Sequence, residues 1–184
     1  AVVAELGEHT RLIGNAAACL AAPGESPIVD GGSRTEYVAL HLSEEAEYTV
    51  LGYSIHLVSE LVRRRNCRTL FSGGEFHENT LMFESPEGLE AIRHFRASKA
   101  FLSASGVDAK FGVTCSNAYE RETKKAVIQS SLRKILVVDS SKFGAVRPAY
   151  FADLGDFDEI VTDPGIPEEY RRIAEERGLR LTIV

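Results

Sequence analysis

Short apolar, β-rich runs alternate with helical stretches along almost the whole of this chain, and that alternation limits the folds open to it. Strands separated by helices pair in parallel, through right-handed crossovers. The expected fold is therefore α/β: a Rossmann-like, mostly parallel sheet with helices on both faces. The deepest strand is expected at residues 134–139, where Ile135, Leu136, Val137 and Val138 are apolar without alternation, as burial on both faces requires. Further strands are expected at 27–30, 48–51, 67–71, 99–103, 149–154, 159–162 and 179–184, with an extended piece at 80–83. A first helix is expected at 10–21, where Leu12, Ile13, Ala16, Ala17 and Leu20 share a face until Pro23-Gly24 stops it. Others are expected through Tyr37, Val38, Leu40 and Leu42, from a Ser54 cap to about 65, from Pro86 to 95, and at 118–132 and 167–177.

With 184 residues, 44% hydrophobic and 26% charged, the chain suits one ordinary globular domain. Its formal net charge of −6 repels a phosphate backbone, so this portion is a poor candidate for gripping DNA itself. No apolar run approaches the ~18–20 residues that span a bilayer, so no membrane association is expected. Cys19, Cys67 and Cys115 are far apart, without a CxxC pair, and the five histidines form no HExxH. These features predict no metal site and a reduced, cytoplasmic setting. Neither a Walker loop nor a GxGxxG motif is present, and no cofactor is expected.

The chemistry lies in the turns that leave the strands, because an open parallel sheet binds ligands beyond the carboxyl ends of its strands. Asp30-Gly31-Gly32-Ser33-Arg34-Thr35 is the best phosphate candidate: glycines admit an anion to the backbone, Ser33 and Thr35 offer hydroxyls, and a helix N-terminus comes next. The same residues also suit a tight strand-to-helix turn. Gly73-Gly74 favours a turn or close packing, with Glu75 and His77 as rim residues. Asp108, after Ser105-Gly106, is placed either to take sugar hydroxyls or to cap a turn. Glu120 and Lys124, four apart on a helix, suggest an exposed ion pair, with a Lys presented to an anion as the alternative. Lys142, after the deepest strand, is the stronger basic candidate. Arg63-Arg64-Arg65 suits the solvated end of a helix better than a nucleic-acid patch.

In their order these segments resemble the C-terminal effector domain of DeoR-family repressors across essentially the whole chain. The matching pieces are Ala16-Ala17-Ala18, the 30–35 loop, Gly73-Gly74-Glu75, Phe101 through Asp108, and Asp139-Ser140-Ser141-Lys142-Phe143-Gly144. The likeness is strongest to the member that gives the family its name, over Phe76-His77, Thr114-Cys115, Asn117, Glu120, Lys124 and Val146-Arg147-Pro148-Ala149. The resemblance implies a fold similar to ribose-5-phosphate isomerase and glucosamine-6-phosphate deaminase, and a ligand of the deoxyribose-5-phosphate kind. It assigns Gly32, Ser33, Arg34 and Thr35 to the phosphate, and Asp108, Glu120, Lys124 and Lys142 to the sugar or the pocket mouth. Asp30, Gly31, Tyr53, Ser54, Gly73, Gly74, Glu75, Ser105 and Gly106 complete the expected ligand edge. The usual Gly-Thr-Thr-Thr is Gly32-Ser33-Arg34-Thr35 here, and Gly52-Tyr53-Ser54 stands for Thr-Asn-Ser.

The function so implied is ligand sensing by a transcriptional repressor. A sugar phosphate shifts a homo-oligomer, dimer or tetramer, between arrangements. Operator DNA is held by an N-terminal winged helix-turn-helix outside this chain. On this reading residues 1–9 are the remainder of the interdomain linker and 10–184 are the effector domain. The rival is a sugar-phosphate isomerase or deaminase on the same fold, with Glu120, Glu122 or Asp108 as its base.

Overall fold

A computed structural model describes residues 2–184 of the chain, with side chains from residue 7. Helix α1 (Val2–Ala18) leads into β1 (Ile28–Val29), α2 (Ser33–His41), β2 (Tyr48–Gly52), α3 (Ile55–Leu61) and β3 (Cys67–Phe71). A hairpin of β4 (Glu75–His77) and β5 (Met82–Glu84) precedes α4 (Pro86–His94), β6 (Ala97–Leu102), β7 (Gly106–Asp108) and β8 (Gly112–Cys115). Then come α5 (Ala118–Ser130), β9 (Ser131–Val137), β10 (Ala149–Ala152), β11 (Glu159–Thr162), α6 (Glu168–Glu176) and β12 (Arg180–Ile183).

The main sheet has seven strands in the order β12-β11-β9-β6-β1-β2-β3, every neighbouring pair parallel. Successive residues of the central strands feed opposite cores, as the two-residue repeat of a strand demands. Val29, Phe101, Ile135 and Val137 pack with Ile13 and Ala17 of α1, Val38 of α2 and Leu57 of α3. Ile28, Leu102 and Leu136 pack on the other face with Ile92 of α4, Val127 of α5 and Ala174 of α6. The order reverses direction between β1 and β6, so the loops after those strands diverge and leave a crevice at their carboxyl ends.

Three expectations need correction. The first helix begins at Val2 and ends at Ala18 rather than running 10–21, so Val2–His9 is helical; Ala1 lies outside the described residues. The strand expected at 149–154 leaves the parallel sheet: β10 pairs antiparallel with β8, and β8 with β7, in a separate three-stranded sheet. Arg64 is only partly exposed, unlike Arg63 and Arg65: it donates to the carbonyl oxygens of Ala39 and Leu40, at 3.0 and 3.1 Å, and of Leu42. That satisfies the carbonyls left open at the C-terminus of α2.

Candidate functional site

Strand β1 is only two residues long, so the chain turns immediately at Asp30, a buried carboxylate at the floor of the crevice. Its Oδ2 accepts from the Ser103 amide at 3.0 Å and the Ser103 hydroxyl at 2.9 Å, and pairs with the Lys124 ammonium. Its Oδ1 accepts from the Gly31 amide at 2.9 Å and from the Tyr53 hydroxyl. Burial, and the negative Asp30 beside it, push the Tyr53 phenol well above its ordinary pKa, so it stays a donor. Lys124 gives further hydrogen bonds to Ser103, at 2.9 Å to its carbonyl and 3.2 Å to its hydroxyl.

Above this floor the chain passes Gly32, at φ 138°, into α2. Only glycine adopts that backbone readily, and a Cβ here would lie 3.0 Å from the Ser103 hydroxyl. No side chain caps α2, which leaves its first amides directed at the crevice. Arg34, in that first turn, pairs with Asp139 beyond the end of β9. Asp139 also accepts from the Ser141 amide at 2.9 Å, which folds Ser140–Lys142 into a tight turn. That turn brings Lys142 to the crevice, and no carboxylate among the described residues pairs with its ammonium.

The resulting cleft has a volume of about 230 Å³. Asp30, Gly31, Gly32, Ser33, Arg34, Ser105, Glu120, Lys124 and Lys142 line it, all of them expected from the sequence. Glu120 is steadied by the Asn117 side-chain amide rather than by Lys124. The exposed Glu120–Lys124 pair is therefore a correction: Lys124 is turned inward, because a charge so deep requires the Asp30 carboxylate beside it.

The other expected residues sit around the cleft and do not line it. Thr35 is buried and donates to the Gly32 carbonyl at 2.9 Å. Tyr53 lies under Asp30, and Ser54 caps α3 while donating to Glu36 at 3.0 Å. Gly73 and Gly74 turn the chain into the β4–β5 hairpin, where a Cβ on Gly74 would overlap the Glu84 carbonyl oxygen; Glu75 is exposed. Gly106 packs on the Ala145 backbone. Asp108 caps the β7–β8 turn, accepting from the amides of Lys110 at 2.9 Å and Phe111 at 2.8 Å.

Sequence reasoning missed Ser103, Thr80 and Met82, which also line the cleft. Thr80 and Met82 come from the hairpin, which is braced by Tyr119 of α5. The Tyr119 hydroxyl lies 2.9 Å from that of Thr80, and its ring stacks on His77 with centroids 3.7 Å apart. The serine that ends a buried strand was the one available signal for Ser103.

The geometry has counterparts in known proteins. The family model for the DeoR C terminal sensor domain matches residues 7–164. This chain belongs to that family. The sensor domain is 33% identical over 176 residues to the deoxyribose operon repressor of Escherichia coli, covering 96% of this chain and 70% of that protein. Among solved structures, eIF2B beta from Chaetomium thermophilum matches with a TM-score of 0.61 at 15% identity, over 87% of this chain and 52% of that one. Ribose 5 phosphate isomerase A from Neisseria gonorrhoeae matches with a TM-score of 0.52 at 13% identity, over 76% and 54%. At such identities these structures show a shared fold alone. No helix among the described residues is long and apolar enough to cross a membrane.

Proposed function

We propose that the sensor domain binds a phosphorylated sugar of the deoxyribose-5-phosphate kind in this cleft. Binding modulates the grip of a homo-oligomeric repressor, dimer or tetramer, on its operator, through a DNA-binding segment outside this chain to which residues 1–9 lead. The observation that carries the reading is the meeting of the uncapped α2 N-terminus with the unpaired Lys142 at the switch-point crevice. Free amides and a lone cation are complementary to a phosphate. Glu120 and Ser105, in the same cleft, suit sugar hydroxyls as partners. A volume of about 230 Å³ is below the ~300 Å³ where drug-sized pockets begin, which favours a small metabolite. The class of sugar is taken from the repressor relative, whose name carries deoxyribose.

A sensing role needs differential affinity for two arrangements rather than turnover. The isomerase fold keeps the catalytic alternative in view, with Glu120 as the acid group lining the cleft beside the paired Asp30. A thermal-shift screen against pentose, deoxypentose and hexose phosphates tests the reading. Deoxyribose 5-phosphate is expected to stabilise the domain by about 2.7 kcal/mol at a hundred times its Kd. No shift with any phosphorylated sugar refutes the proposal, and turnover of ribose 5-phosphate replaces it with the isomerase.

A further inference from the structure

Helix α1 touches the cleft residues by two routes. At Gly14 it crosses α2 so closely that a Cβ there would overlap Tyr37 Cβ and lie 2.9 Å from the carbonyl oxygen of Arg34. Arg34 is thus held by its backbone against α1 while its guanidinium reaches the cleft and pairs with Asp139. The second route starts from that carboxylate. Asp139 caps the Ser140–Lys142 turn, and the Ser140 amide donates to Asp163 Oδ2 at 2.7 Å. Asp163 lies beyond the end of β11, and β11 packs on α1, with Val161 in one core with Ile13 and Ala17. A Cβ on Gly165 would lie 2.6 Å from the Ser140 hydroxyl, so the two turns meet without slack. The two routes close into a ring at Arg34 and Asp139.

An anion entering the cleft competes with the Asp139 carboxylate for the Arg34 guanidinium, which suits phosphate oxygens at least as well. When Arg34 turns to the ligand, Asp139 keeps only its hydrogen bonds from Ser141. The first turn of α2 is then no longer tied to the turn after β9. Helix α1 packs against both, on α2 at Gly14 and on β9 and β11 at Val137 and Val161, and cannot keep both contacts if they separate.

We infer that the Arg34–Asp139 ion pair is a latch opened by anion binding, and that α1 is the element that reports its opening. This rests on the reading of the cleft as a phosphate site. Any segment joined ahead of α1 moves with it.

The test is hydrogen–deuterium exchange at the amides of residues 7–18, with and without deoxyribose 5-phosphate, in the wild type and in Asp139→Asn. Asparagine keeps an acceptor for the Ser141 amide and removes the charge. Ligand is expected to speed α1 exchange about five-fold in the wild type, the lower end of ordinary coupling. Ligand-free Asp139→Asn is expected to show the same rise, with none added by ligand. Arg34→Gln, which opens the pair from the other side, must reproduce it and substitutes if the first variant fails to fold. Unchanged α1 exchange in the folded variants overturns the latch, whether or not any sugar phosphate binds. So does a wild type that is thermally stabilised by deoxyribose 5-phosphate without a change in α1. If no sugar phosphate stabilises the domain while the variants still loosen α1, the coupling of the ion pair to α1 stands and its opening by a sugar phosphate falls with the ligand reading.

Discussion

Lys124 reaches from the middle of α5 to the end of β1, where its ammonium pairs with Asp30 at 3% and 2% exposure respectively. Two charges so far from water are tolerated only because each is held by the other and by Ser103, Tyr53 and the Gly31 amide. The pair fixes the distance between α5 and β1, and therefore the floor on which a ligand rests. Its place under the cleft makes it a support for the site.

Breaking that pair from one side leaves a buried charge without compensation. Lys124→Met is expected to cost about 3–5 kcal/mol in urea unfolding. The double variant Asp30→Asn/Lys124→Met, with no charge stranded, is expected to cost distinctly less. Equal losses in the single and double variants would show that packing, not charge, sets the stability of the floor.

Gly32 combines a left-handed backbone with a crowded neighbour, the Ser103 hydroxyl 3.0 Å from any added Cβ. Gly32→Ala is expected to destabilise by about 1–3 kcal/mol, the usual range for a residue forced into such a backbone. It should also weaken phosphate binding, since the strain is relieved only by moving the α2 N-terminus. A neutral Gly32→Ala variant would mean that the loop has slack, contrary to the geometry.

Asp163 gives a pH-dependent contribution. Burial alone would raise its pKa, but hydrogen bonds from Ser140 and from the Gly165 amide, with the charge of His9, outweigh burial and hold it below the ordinary 3.8. A carboxylate depressed on folding stabilises the native state above its unfolded pKa, and the gain disappears as pH falls through the folded value. The stability difference between wild type and Asp163→Asn is expected to shrink as pH falls below about 3.8. A difference that instead grows as pH falls through that range would contradict the sign.

Much of the fold was legible because its elements are long and strongly patterned: β9 ends in an uninterrupted apolar run, and α4 opens on Ser85-Pro86 with Ser85 accepting from the Gly88 amide. The small antiparallel sheet was not legible. Strands β7 and β8, of three and four residues, are too short to show a two-residue repeat, and nothing in Ala149–Ala152 names its partner. Lys124 shows the limit for the site. Spacing four from Glu120 suggested a surface pair, yet Lys124 also stands three residues before Val127, on the stripe that α5 buries. That second spacing was the available signal, and Asp30, 94 residues earlier, completes it only in three dimensions.

Recognition of a phosphate by the α2 N-terminus and Lys142 is tested by calorimetric titration of deoxyribose 5-phosphate and of free deoxyribose into wild type and Lys142→Ala. Loss of a charged hydrogen-bonding partner is worth about 1.5–3 kcal/mol, or roughly 10- to 100-fold in affinity. The wild type is expected to prefer the phosphate ester by at least that factor, and Lys142→Ala, folded and as stable as wild type, to lose most of the preference. Equal affinity for ester and free sugar, or a preference untouched in Lys142→Ala, would contradict it.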